Sequence, residues 1–197
     1  MAMITRLGLL AGLMLAAGPA AAQDLGAAAA QKAFEAKRYV ESLDRLQDAV
    51  ETVSAAMPLA VRKAELVEEA RGYGSYAPRG SNVFRPDDTV KLYVEPLGYV
   101  FRRNGEVYEA ELAGDFALKT AGGQVLLAQK DFARFPFSSR RRIRELYLTI
   151  SYAYGNLGPG DYVLVTTLRD LVSGKSADFE IAIKVAGAEP QVGRQGR

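Results

Sequence analysis

Three sets of residues could carry chemistry. The first is aromatic. Tyr93 and Tyr147 each lie opposite the apolar side of an alternating stretch, and Tyr73, Tyr76, Tyr99 and Phe101 are near the first in sequence. Exposed in a row, such rings could stack on sugars or receive a peptide. The second set is basic: Arg140, Arg141, Arg142 and Arg144, with Arg134 upstream. A run of this kind could bind an anionic polymer such as lipid headgroups or lipopolysaccharide. The third set is acidic: Asp87-Asp88, then Asp161, Asp170 and Asp178. A carboxylate pair could cleave a glycosidic bond, and a loop cluster could hold Ca²⁺.

Each set also has a plainer reading. The rings could be covered by packed helices, because an uncovered amphipathic helix is costly. The arginines could be a solvated loop balanced by acids elsewhere. The aspartates show no D-x-D-x-D-G spacing, and isolated loop aspartates usually support turns. The plainer readings are favoured for all three.

What is missing narrows the chemistry further. The 197 residues include no His, no Cys and no Trp. That excludes a Ser-His-Asp triad, a thiol nucleophile, a zinc site built from His or Cys, and any disulfide. No S-x-x-K pattern follows the leader, and Ser173-Gly174-Lys175-Ser176 lacks the preceding part of a phosphate loop. No catalytic residue, metal site or cofactor is therefore expected. Net charge is +2, without the clustered excess of a nucleic-acid binder.

The elements that must position these residues begin with a leader. Arg6, an apolar run from Leu7 to Ala17, Gly18-Pro19 and Ala20-Ala21-Ala22 have the layout of a secretory signal peptide over residues 1–22. Cleavage is expected after Ala22, giving a periplasmic or secreted protein with no transmembrane segment. Residues 23–71 read as helical. Tyr39, Leu43, Leu46, Val50, Val53 and Met57 make one apolar stripe, with Glu41, Asp44, Arg45, Gln47, Asp48 and Glu51 mostly facing water. The stripe is expected to pack on its own domain. Pro58 then starts a second helix or kinks the first, and a short second helix through Leu66 and Val67 would stop at Arg71-Gly72. Residues 72–80, rich in Gly, Tyr and Pro, read as a linker.

From residue 81 to 187 the pattern turns to period two. Val90, Leu92 and Val94 share a face, as do Tyr108, Ala110 and Leu112 after an Asn104-Gly105 turn. Phe116 and Leu118 form a short strand, and Gly122-Gly123 turns into Val125 and Leu127. Leu146 to Tyr152, Tyr162 to Leu168 and Phe179 to Val185 supply three more. Seven or eight short strands predict a mainly β fold, an antiparallel sandwich preceded by a helical pair. Residues 188–197 are expected to be a disordered tail.

One motif carries a resemblance. Leu157-Gly158-Pro159-Gly160-Asp161-Tyr162 resembles the tyrosine-corner segment of fibronectin-III and immunoglobulin-like sandwiches. The resemblance implies structural roles for Leu157, Pro159, Gly160 and Tyr162, with the Tyr162 hydroxyl bonding back to the chain just upstream. Lacking the Cys pair and Trp of immunoglobulin domains, the chain leans to the fibronectin-like variety. As a whole it resembles exported bacterial proteins with a helical lead and a β-sandwich. Such sandwiches host many functions. The reading is a non-enzymatic exported module for protein–protein interaction or envelope scaffolding, with an envelope protein as partner. The alternative is a glycan-binding or glycan-cleaving protein using Tyr93, Tyr147 and the loop carboxylates.

Overall fold

A computed structural model describes residues 26–155 and 157–187. The expected signal peptide and the expected tail at 188–197 lie outside the described residues. Two compact units divide the chain, Met1–Ala49 and Val50–Arg197, and the division falls within the second helix.

In the first unit, α1 (Ala27–Glu35) turns back into α2 (Tyr39–Ala56). Lys37, at φ 55, makes the reversal. Small side chains let the two helices approach. Ala30 and Ala33 are buried, and the buried Ser42 hydroxyl donates to the Ala30 carbonyl at 2.8 Å. Phe34 and Tyr39 meet edge to face across the turn, with ring centroids 5.4 Å apart. The helical pair is therefore α1 with α2.

The expected second helix after Pro58 does not form. Residues Ala60–Gly72 are a strand, β1. Ala, Glu, Lys, Arg and Leu favour helix, but propensity is a weak prior that tertiary pairing overrides. Here the partner is β4 (Thr89–Leu97), buried over most of its length. β1 pairs with it antiparallel, setting Leu66 beside Leu92, Glu65 beside Tyr93 and Ala64 beside Val94. Ala64 and Leu66 thus face inward and Lys63 and Glu65 outward, a period of two hidden in helix-forming residues. Residues 72–80 are likewise not a linker: Ser75–Pro78 is β2, folded back on β1 through Gly74 at φ 68.

The remaining strands are β3 (Val83–Phe84), β5 (Arg102–Asn104), β6 (Val107–Thr120), β7 (Val125–Ser139), β8 (Leu148–Ala153), β9 (Gly160–Asp170) and β10 (Ser176–Val185). One sheet has the order β2-β1-β4-β8; the other runs β3-β10-β9-β6-β5, with β7 also paired to β6. All pairs are antiparallel except β3 with β10. Val90, Leu92 and Val94 of β4 and Ile150 and Tyr152 of β8 share one core with Leu112 and Leu118 of β6, Leu164 and Leu168 of β9 and Ile183 of β10. The unit is a mainly β, two-sheet sandwich.

Local signals placed most turns. The β5–β6 hairpin forms at the expected site, but its two-residue loop is Gly105-Glu106, one place beyond Asn104-Gly105. Phe116 and Leu118 are not a separate short strand: they continue β6, which bends at Gly114–Phe116 where its register with β7 shifts. The Phe132 ring lies against Gly114, where a Cβ would meet it at 3.0 Å. The Tyr162 hydroxyl donates to the Gly158 carbonyl at 2.8 Å, the bond the tyrosine-corner resemblance implied. Gly160 lies under the Tyr162 ring, and Leu157 packs against the core.

Candidate functional site

The tyrosines form a stack on the outer face of the four-stranded sheet. Tyr93 lies between Tyr76, at 4.2 Å between centroids, and Tyr147, at 5.6 Å, with all three rings within 25° of parallel in each contact. Both faces of the Tyr93 ring are therefore taken, and its residue exposure is 0%. Its hydroxyl accepts the Gly74 N–H at 2.7 Å and donates to Glu95 at 2.9 Å. Burial pushes the Tyr93 phenol up, and the Gly74 N–H partly opposes this. The cover comes from Tyr76 of β2 and from Tyr147, just before β8. Tyr93 offers no free ring face to a sugar, and Tyr147 is half-buried beside it.

Charges close the edges of this stack. Lys63 reaches both the Tyr76 hydroxyl and Glu65, and Tyr76 donates to Glu65 at 3.0 Å. Hydrogen bonds from Lys63 and then Tyr76 hold the Glu65 carboxyl below its ordinary range. Arg62 donates to the Tyr73 hydroxyl at 2.7 Å. Each polar group here answers another, which suits a structural network.

The arginine run splits into unlike members. Arg140 is exposed and pairs with the equally exposed Glu106. Arg141 is exposed, and its backbone N–H donates to Ser139. Arg142 sits 3.7 Å from Glu51 and lies over the Tyr108 ring. Arg144 turns inward. It grips both carboxylate oxygens of Glu51, donates to Ser54 Oγ at 2.8 Å and the Tyr99 carbonyl at 3.0 Å, and lies over the Tyr99 and Phe101 rings. A planar fork matched to a carboxylate is the geometry for which arginine is suited. The run is not one basic patch.

Glu51 and Ser54 lie on the last turns of α2, within the second unit. Lys175 completes their attachment: its Nζ donates to the Ala55 carbonyl at 2.7 Å and the Gly98 carbonyl at 3.1 Å. Terminal helix carbonyls lack intrahelical partners, and a cation supplies them. Gly98 adopts φ 79, and a Cβ there would lie 2.3 Å from the Pro58 carbonyl oxygen. Only glycine fits. Tyr99 follows, its hydroxyl donating to the Ile143 carbonyl at 2.8 Å, and burial pushes its phenol up to about 12.

This arrangement departs from the orientation expected for this part of the helix. Glu51, expected to face water, has a side chain only 16% exposed, whereas Val50 and Val53, expected to pack, are 52% and 46% exposed. The pairing that draws Glu51 inward lies 93 residues away in sequence. No local pattern could have announced it.

Asp170 and Asp88 support turns, whereas Asp178 bonds across a strand pair. Asp170 is fully buried, accepting N–H groups from Val100 and Val172 and the Ser173 hydroxyl. Asp88 accepts the Arg85 N–H, and Asp178 accepts the Thr167 hydroxyl. Asp161 is exposed. Sequence reasoning missed one carboxylate pair. Asp115 and Asp131 are both bound by Arg169, and Asp115 also accepts the Asp131 N–H at 2.8 Å. Arg169 holds the Asp115 carboxyl below its ordinary range. Asp131, at φ 50, lies where β6 and β7 lose register, so this clamp shapes a bulge. The Gly114-Asp115 interruption in an alternating strand was the signal. No group of three or more metal-ligating residue types comes together among the described residues.

No family model matches the chain, and no curated protein matches it. Among solved structures it is similar to Spo0M, a sporulation control protein from Bacillus subtilis, with 12% identity, a TM-score of 0.35, and coverage of 68% of this chain and 51% of that one. It is also similar to a conjugative transposon lipoprotein from Bacteroides eggerthii DSM 20697, with 14% identity, a TM-score of 0.28, and coverage of 64% of this chain and 93% of that one. The chain thus matches about half the length of the first. Likenesses of this size do not extend to function.

Proposed function

We propose that this protein is a non-enzymatic, exported module that binds a partner protein in the cell envelope. The observation that supports this reading is the state of α2. Tyr39, Leu43 and Leu46, the first three members of its apolar stripe, are exposed, as is Phe34 on α1. Large aliphatic and aromatic side chains grouped at helical spacing on a surface are the usual anchors of helix-mediated recognition. The residues with more evident chemistry are engaged elsewhere: Tyr93 between two rings, Arg144 on Glu51, Asp170 on backbone N–H groups. Export is part of the proposal and rests on the leader layout. No described helix is long and apolar enough to cross a membrane.

The test is affinity capture from the periplasm at several salt concentrations, with the native chain and Leu43→Asp side by side. The reading expects a protein retained by the native chain at high salt, because apolar contacts are not screened. Leu43→Asp should lose it. Recovery of this protein alone at every salt concentration would contradict the reading.

A further inference from the structure

The arginine run begins where an open strand ends. Strand β7 is hydrogen-bonded to β6 along one side, and among the described residues no strand pairs with its other side. Its last residues, Phe137, Ser138 and Ser139, are extended in register with Ala110, Glu109 and Tyr108. Arg140 follows at once, with a side chain 80% exposed, and Arg141 after it is exposed too. From Arg140 to Tyr147 the chain forms neither helix nor strand.

This is the shape that a protein-cleaving enzyme takes hold of. An endopeptidase pairs with the backbone of the residues before the bond it cuts, held as an extended strand, and reads the last of them in a side-chain pocket. Residues 137–139 are already extended, with one edge open for such pairing. Arg140 then presents a cation outside the fold. Its ion pair with Glu106 is solvated, so an acidic pocket can take the guanidinium over at little cost.

Basic residues in other turns are tied where a protease would need them free. The carbonyls of Arg38, Arg85 and Lys175 accept the N–H groups of Ser42, Asp88 and Asp170. A scissile carbonyl must instead turn towards the enzyme's own donors. Among the described residues, no backbone N–H bonds to the Arg140 or Arg141 carbonyl.

We infer that the bonds following Arg140 and Arg141 are a cleavage site for an arginine-directed endopeptidase, and that cutting leaves a nicked, two-chain protein that stays folded. The reaction is hydrolysis. The peptide C–N bond breaks, the oxygen of water joins the carbonyl carbon, and its proton goes to the departing nitrogen. The pieces stay together because β8 pairs with β4 and β9 with β6 across the cut. Arg144 and Lys175 lie beyond it and keep their hold on α2. The enzyme departs once the bond is broken, so this is a site of modification and not of lasting contact.

Limited digestion of the whole purified chain with trypsin in native buffer tests this, with new chain ends within residues 26–187 read by mass spectrometry. The first cuts are expected after Arg140 or Arg141. The two pieces should co-elute on size exclusion at the position of the intact chain and part only in denaturant. A double variant, Arg140→Gln with Arg141→Gln, should slow the first cut at least about tenfold, because any other bond must wait for local opening. Arg85→Gln should leave the rate unchanged. Both positions in the double variant are exposed, so it should fold normally, which an unchanged urea midpoint confirms. A first cut elsewhere would overturn the inference. So would a folded double variant cut as fast as the native chain, or pieces that separate in native buffer.

Discussion

The last two turns of α2 present two adjoining surfaces of different character. On one side Glu51 and Ser54 meet Arg144, and Lys175 caps the helix end. On the other, Val50 and Val53 are exposed. The difference is instructive because it inverts the usual assignment, in which charge faces water and valine faces the core. Here the helix end is attached through a partly buried ion pair and carbonyl capping, and its aliphatic side is left over. The same division runs through the molecule. Tyrosines, arginines and aspartates are spent on one another, while the open surfaces at α2 and β7 are aliphatic.

Substitutions can break this comparison, and the largest effect is expected at Gly98. Gly98→Ala combines a left-handed backbone with a Cβ 2.3 Å from the Pro58 carbonyl. It should cost about 3 kcal/mol in urea unfolding, a sum of backbone strain and overpacking. Arg144→Ala comes next. It leaves the partly buried Glu51 with only Arg142, 3.7 Å away, and should cost about 2 kcal/mol, less than for a fully buried pair because both groups keep some solvent.

Tyr99→Phe probes the same region more gently. Loss of the hydroxyl bond to the Ile143 carbonyl should cost about 1 kcal/mol. It also has a signature in pH. Tyr99 and Tyr152 phenols are pushed up to about 12 from an ordinary 10.0 by burial. The unfolded chain therefore loses these protons first as pH rises. Their contribution is complete below about pH 10 and is lost as pH climbs towards 12. Tyr99→Phe should make that alkaline decline shallower, as read from urea midpoints at stepped pH.

The smallest effects belong to the outward positions. Arg140→Ala removes a fully solvated pair, and Val50→Ser removes exposed apolar surface. Each should shift stability by less than about 0.5 kcal/mol. A large loss at Val50 would mean that the outward side carries stability, and the comparison would fail. Arg140 and Arg144 together are the sharper contrast: four residues apart in one basic run, they should differ severalfold in cost.

Much of the sandwich was legible in the sequence, and the reason is local. Alternation marked β4, β8, β9 and β10, Asn104-Gly105 marked a hairpin to within one residue, and the Leu157–Tyr162 segment announced its own hydroxyl bond. β1 was not legible, because its helix-forming residues become a strand only when β4 is present to pair with them. The orientation of α2 was not legible either, since it depends on Arg144 and Lys175, far along the chain. For the candidate site, the residue types were found but their use was not. Whether a tyrosine is a platform or a filler depends on what lies against its faces, and Tyr76 comes from another strand and Tyr147 from the segment before β8.

The central claim is that contact with other proteins runs through aliphatic positions while the polar clusters are structural. It is tested most directly by a photo-activatable cross-linking residue placed in turn at Leu43, Tyr147 and Arg141 in cells making the protein. The account predicts an adduct with a second protein from Leu43 and none from Tyr147 or Arg141. Adducts from Tyr147 or Arg141 with none from Leu43 would contradict it.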